Sequence, residues 1–468
     1  MKGRLTRTHG VAILLLVFVT LLIGMIRIES TPPLWWDEGW TLSVARNWVE
    51  LGHYGNLLVG QPAPATMAGQ FPVVVPIALS FKVFGVGIWQ ARLPGLLFTV
   101  CSLLLLYYLT SRLYNYTIAW LVLGFVLLLP VKWGLHPFFI GRQALGEMPV
   151  VCFFLAGFAC FLHVERRIAV FLPLTVLFWG IALMTKEQAV PFFAVCCVLS
   201  AGVLLMKRQW RRAGVLVVAL AASFGVRQLL LELKEIVLRG HSMPPAPLSG
   251  LTESVAVVLD PSVRISALKF FFLFGIPMIA GLTYQMRKDF VGKEPSSHIG
   301  LIRFMLWSLA SSWFAWFILL SVAWERYAFP PMFMAMPFVA ALMYDLTGGW
   351  NMRFTVDRLR SVLRARRVRV EDRGSVAATA LLALMCFLTS AAVYRFSISP
   401  TDSSIVEAAQ FLNEHAKPDR VVETYDSELF FLLNCLYHYP PPQMDVEYIQ
   451  RTWLHKSGGF QYDPLVAD

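Results

Sequence analysis

The chain has 468 residues, 57% of them hydrophobic and only 15% charged, with a mean hydropathy of +0.61. A soluble globular protein carries about 25% charged residues, so a soluble domain is excluded and a polytopic α-helical membrane protein is implied. The formal charge of +11 does not indicate a nucleic-acid partner, because the basic residues fall in short loops between apolar runs, where they set orientation in the bilayer.

A helix needs about 20 apolar residues to cross the ~30 Å hydrocarbon layer. In chain order the apolar runs predict about eleven spans, near 11–28, 92–110, 117–135, 147–163, 168–184, 188–205, 213–231, 265–284, 304–323, 332–346 and 375–394. The first has a basic start (Lys2, Arg4, Arg7) but is followed by Arg27-Ile28-Glu29 rather than a small-residue cleavage site, so it reads as a retained anchor. Six cysteines (101, 152, 160, 196, 197, 386) lie within spans and only Cys435 in a polar segment. With no CxxC or Cys/His cluster, neither a disulfide framework nor a zinc site is indicated.

Alternate loops are basic: the N-terminus, Arg112, Arg166-Arg167, Lys207-Arg208 with Arg211-Arg212, Arg287-Lys288, and the arginine-rich run 353–373. Positive-inside counting puts these in the cytoplasm, with the N-terminus inside and the C-terminal segment outside. The apolar stretch 71–87 would invert every later loop if it crossed, and it carries Pro72, Pro76 and Lys82. It is therefore expected to lie at the membrane surface or re-enter the membrane, leaving 29–91 as one large external region. Residues 1–394 then form a transmembrane module and 395–468 a small external α/β segment. In that segment a helix is expected over Ser403–His415, a strand over Arg420–Thr424 and a second helix over Glu428–Leu436, before Pro440-Pro441-Pro442.

The first external loop reads Trp35-Trp36-Asp37-Glu38-Gly39-Trp40. Tryptophans anchor at the interface and would hold the two carboxylates at headgroup depth, where a lipid-linked phosphate also sits. Partial desolvation there makes a carboxylate a better base toward an acceptor hydroxyl. On pattern alone, the simpler reading is a solvated turn in which Asp37 caps a helix beginning near Gly39. Other turns on the same face carry Arg142 and Glu147, Lys186 and Glu187, and Glu325-Arg326-Tyr327. Taken singly, each could be a snorkelling side chain or a structural ion pair. Together, an acid and several cations on one face suit an anionic phosphate leaving group.

The ordered set Trp36-Asp37-Glu38-Gly39-Trp40, Ala45-Arg46, Gln70-Phe71-Pro72, Leu79–Gly85, Ala91-Arg92-Leu93-Pro94, Arg142…Glu147, Met184-Thr185-Lys186 and Arg326-Tyr327 resembles the protein mannosyltransferase and aminoarabinose transferase superfamily, which has the GT-C fold and uses polyprenyl-phosphate sugars. The resemblance implies Asp37 as catalytic carboxylate with Glu38 beside it, and Glu147 in the place of a second acid. It implies substrate binding by Arg142, Lys186, Arg326, Tyr327, Arg92 and Gln70. Gln70 and Trp40 depart from the family pattern, which leaves donor identity open.

The function this implies is inverting transfer of a sugar from a polyprenyl-phosphate donor to a glycan, lipid or protein acceptor, on the external face of what is expected to be a bacterial inner membrane. No cofactor is expected, and a divalent cation is left open. The alternatives are a non-catalytic protein that binds lipid-linked sugar and a lipid or sugar transporter. The transporter is disfavoured because charges gather at span ends and no internal repeat is visible.

Overall fold

The computed structural model describes residues 7–130, 132–241, 258–290, 297–351, 353–354, 356–358, 360, 370–417 and 419–439. The apolar runs become helices, since in hydrocarbon every backbone N–H and C=O has to be satisfied within its own segment. The chain opens with α1 (Arg7–Met25), α2 (Trp36–Leu51), a hairpin of β1 (Leu57–Leu58) and β2 (Gln61–Pro62), and α3 (Phe71–Phe84). It continues with α4 (Ile88–Leu113), α5 (Tyr116–Leu128), the short α6 (Pro137–Arg142), α7 (Glu147–Phe161), α8 (Ile168–Thr185), α9 (Ala189–Met206) and α10 (Trp210–Leu238). The next helices, α11 (Pro261–Phe270) and α12 (Ile276–Gln285), are joined by a π-helical stretch, and a second one follows α12. Then come α13 (His298–Leu320), α14 (Phe329–Leu346) and α15 (Val370–Ile398).

Among the described residues, seven helices are long and apolar enough to cross a membrane. The other four expected spans coincide with three shorter apolar helices, α1, α5 and α7, and with the π-interrupted α11–α12 pair. The buried centre of the bundle is α14, whose Met334, Phe338 and Val339 are fully enclosed and which packs against α12, α5 and α13. Around it, α7 packs on α4 and α8, and α8 packs on α10.

Two features position the site. The first is α3, whose 14 residues span only about 21 Å at about 1.5 Å per residue, less than the hydrocarbon thickness. Val74, Ile77 and Phe81 are buried on one side of α3, and Leu79, Val83 and Phe84 are exposed on the other. Pro72 falls in its first turn, where a missing N–H costs nothing.

The second feature is the polar end of the chain: α16 (Ser404–His415), β3 (Val421–Glu423), α17 (Ser427–Leu432) and β4 (Leu436–His438), with β3 and β4 parallel. The expected second helix therefore stops four residues early, and its last residue starts a strand. Pro440-Pro441-Pro442 and most of the arginine-rich run (361–369) lie outside the described residues. This segment packs directly on α2.

Candidate active site

The helix carrying the acidic pair begins at Trp36, one turn earlier than the capping reading expects, so Asp37 lies inside the first turn. Glu38 does the capping: its Oε2 accepts from the Trp35 backbone N–H at 3.0 Å. The same carboxylate accepts from Arg92 at 3.1 Å and from the Ala144 N–H at 3.0 Å. Both side chains of the Glu38–Arg92 pair are 0% exposed. Arg92 also donates to the carbonyls of Ile28 (2.9 Å) and Pro32 (2.7 Å). Arg142 donates to the carbonyls of Gly24, Thr31 and Ile23 at 2.8–3.0 Å.

Glu38, expected in catalysis, and Arg92 and Arg142, expected in substrate binding, are thus placed apart from the other expected site residues. All three are buried and bonded to the scaffold, and none lines the cavity described next. A buried arginine aimed at backbone carbonyls pins the loop before α2 to α4 and α6, which holds the start of α2 in place.

The other six expected residues, Asp37, Glu147, Lys186, Arg326, Tyr327 and Gln70, line one cavity of about 270 Å³. Glu147 opens α7 and Lys186 ends α8, while Arg326 and Tyr327 lie in the 3₁₀ turn before α14. Arg326 pairs with Asp37 and also faces Glu147 at 3.8 Å. Lys186 Nζ donates to Glu147 Oε1 at 2.5 Å. The Tyr327 ring accepts both cations, with Lys186 at 4.9 Å and Arg326 at 5.3 Å from its centroid. Burial pulls Lys186 below the ordinary lysine range, and the Glu147 carboxylate opposes that shift. Asp37 is ion-paired but not occluded, with 30% of its side chain exposed. At the first turn of α2 its negative charge is favoured by the helix dipole.

Trp36, Trp40, Thr41, Met67 and Ala68 complete the wall on the α2 side. Met67 and Ala68 carry no motif, and nothing local in the sequence points to them. Across Leu145 and Arg326, which border both, lies a second cavity of about 340 Å³. It is largely apolar, with Trp35, Ile140 and Trp324 in its wall.

The C-terminal segment forms the roof over α2. Ser427 Oγ donates to the Trp36 carbonyl, and Trp36 Nε1 donates to the Tyr425 carbonyl at 3.0 Å. Arg46 donates to the carbonyls of Phe431 and Leu433 at 2.7 and 2.8 Å. Gly39 permits this approach, since a Cβ there would sit 2.1 Å from the Ser427 carbonyl group. Trp40 packs edge-on against Phe430 and Tyr439, at 4.8 and 4.9 Å between centroids. Glu428 is buried, and its Oε2 has no protein partner. Burial, with the nearby carboxylates of Asp426, Glu38 and Asp37, pushes its pKa up to about 7. Among the described residues no three His, Cys, Asp or Glu side chains converge as a metal site requires.

A sequence profile of the dolichyl-phosphate-mannose-protein mannosyltransferase family matches residues 72–226, a stretch that begins after the Asp37 loop. No curated protein matches in sequence. In structure the chain is similar to ArnT from Cupriavidus metallidurans bound to undecaprenyl phosphate, with a TM-score of 0.65 and 13% identity, covering 96% of this chain and 89% of that one. It is also similar to the archaeal oligosaccharyltransferase AglB from Archaeoglobus fulgidus in complex with an inhibitory peptide and a dolichol-phosphate. There the TM-score is 0.58 and the identity 11%, covering 92% of this chain and 65% of that one. The chain has the GT-C fold, and the resemblance drawn from its motifs holds.

Proposed function

We propose that the protein is a GT-C glycosyltransferase that moves a sugar from a polyprenyl-phosphate donor to an acceptor at the Asp37 cavity, on the external face of the membrane. The observation that carries this reading is the convergence of one partly exposed carboxylate, Asp37, with Arg326, Lys186 and Glu147 in a single cavity. The apolar cavity next to it, bordered by the same Arg326, is shaped for the first isoprene units of the lipid.

In the resting site Arg326 holds Asp37. A donor phosphate entering between the two cavities competes for Arg326 and Lys186, which frees the Asp37 carboxylate to face the acceptor. Asp37 then takes the proton of the acceptor hydroxyl or amine as that group attacks the anomeric carbon. The bond from that carbon to the phosphate oxygen breaks with inversion, and the phosphate leaves with the electron pair, its charge met by the cations. A phosphate is a good leaving group, so one base and a cationic clamp suffice without the second, acid carboxyl of a hydrolytic glycosidase. Glu147 keeps the two cations aligned.

The test uses the purified protein in nanodiscs with a panel of undecaprenyl-phosphate-linked sugars and a cell-envelope extract supplying glycan, lipid and protein acceptors, reading released undecaprenyl phosphate by mass spectrometry. The expected result is turnover by the natural protein and a drop of about 10²–10⁴-fold in Asp37→Asn, with lipid binding retained. Equal turnover in Asp37→Asn removes Asp37 from the role. Tight lipid binding with no turnover of any sugar favours the non-catalytic binding protein.

A further inference from the structure

At the opposite end of α7 and α8 from the Asp37 cavity lies the most voluminous of the pockets described, about 550 Å³. Glu147 opens α7 while Phe161, which ends it, lines this pocket. The 15 residues of α7 therefore separate the two sites by about 22 Å at about 1.5 Å per residue.

The polar wall consists of Arg166, Arg211, Arg212, His298 and Glu165, and the floor is apolar, with Val164 and Val215. Arg212 is neutralised by Glu165, at 2.6 Å, and His298 faces the same carboxylate at 3.6 Å. Arg166 and Arg211 have no acidic partner among the described residues. Two of these cations, Arg211 and Arg212, sit in the first turn of α10, where the helix dipole disfavours positive charge. The pocket is also lined by Ile168 at the start of α8 and His298 at the start of α13. Three helix N-termini thus add their partial positive charge to the arginines.

We propose that this pocket binds the phosphate of an anionic phospholipid head group, with Arg166 and Arg211 as the principal ligands and the apolar floor receiving the start of the acyl chains. Basic pockets between helices at the membrane surface recognise such head groups. Here Glu165 occupies part of the positive field in the free protein and competes with the incoming phosphate. The site is independent of sugar transfer and does not rest on the reading of the Asp37 cavity.

The experiment is native mass spectrometry of the detergent-solubilised full chain titrated with phosphatidylglycerol, phosphatidylcholine or inorganic phosphate. Preferential retention of phosphatidylglycerol is expected, weakened about ten- to thirtyfold in the Arg166→Gln/Arg211→Gln variant. Glu165→Gln removes the competing carboxylate and is expected to tighten binding, which keeps the test decisive should the double variant fail to fold. Arginine-dependent binding of inorganic phosphate without phosphatidylglycerol overturns the lipid as source and assigns a soluble phosphate compound. Equal retention of phosphatidylglycerol in natural and variant proteins, or of phosphatidylcholine and phosphatidylglycerol in the natural one, overturns the site.

Discussion

At the scale of single residues, the adjacent carboxylates Asp37 and Glu38 have opposite surroundings, and that difference is testable. Glu38 and Arg92 are a buried ion pair whose members also satisfy backbone groups. Removing one partner of such a pair costs about 3–5 kcal/mol, because the other charge is left buried and unpaired. Arg92→Leu should therefore lower the thermal unfolding temperature sharply, and adding Glu38→Gln should recover part of the loss. Asp37→Asn should leave that temperature nearly unchanged. Glu428 makes a second case. Its folded pKa of about 7 lies above the ordinary value of 4.5, so the folded state binds more protons than the unfolded one between those values. Docking of the C-terminal segment should then weaken as pH rises from about 4.5 through 7 and level off above it. Hydrogen-exchange protection in residues 425–434, taken relative to the intrinsic amide exchange rate at each pH, should fall over that interval, and Glu428→Gln should abolish the fall.

Among the elements, the contact between α2 and α17 decides whether Trp36, Asp37 and Trp40 are held in place. Gly39→Val forces α17 away, because the new side chain would overlap the Ser427 carbonyl. The expected outcome is faster proteolysis of the C-terminal segment and lost turnover, with the transmembrane helices still folded by circular dichroism. This contact was not legible in the sequence. It joins residues 39 and 427 without leaving any local periodicity, and a glycine after an acidic pair looks like ordinary turn chemistry. The helices themselves were legible, because hydrophobic runs in a bilayer have few alternatives. The clustering of Asp37, Glu147, Lys186 and Arg326 could be anticipated from alternating loop charge together with the family motifs. What those signals could not separate is an arginine aimed into a cavity from one aimed at backbone carbonyls. Arg142 and Arg326 both follow or precede a short turn, and only packing shows that Arg142 is spent on Ile23, Gly24 and Thr31.

For the whole molecule, that same α2–α17 contact constrains the topology without reference to charge. Segments that pack together outside the bilayer lie on one side of it, so an even number of crossings must separate α2 from α17. If α4, α5, α7, α8, α9, α10, the α11–α12 unit, α13, α14 and α15 each cross, as the apolar runs predict, the crossings number ten and the chain returns to the side of α2. If α3 crossed as well, the number would be odd and α17 could not reach Gly39. That parity agrees with the arginine distribution, whereas length does not separate α3, with 14 residues, from α5, with 13. The prediction concerns sidedness. In sealed bacterial cells, a membrane-impermeant maleimide should label Glu414→Cys, on the exposed face of α16. It should reach Arg360→Cys only after permeabilisation. The native cysteines interfere little, since Cys435 is buried and Cys101 lies within α4. Labelling of Arg360→Cys alone in intact cells would invert the molecule. The Asp37 cavity would then face the cytoplasm, and an externally directed transfer reaction would have no site.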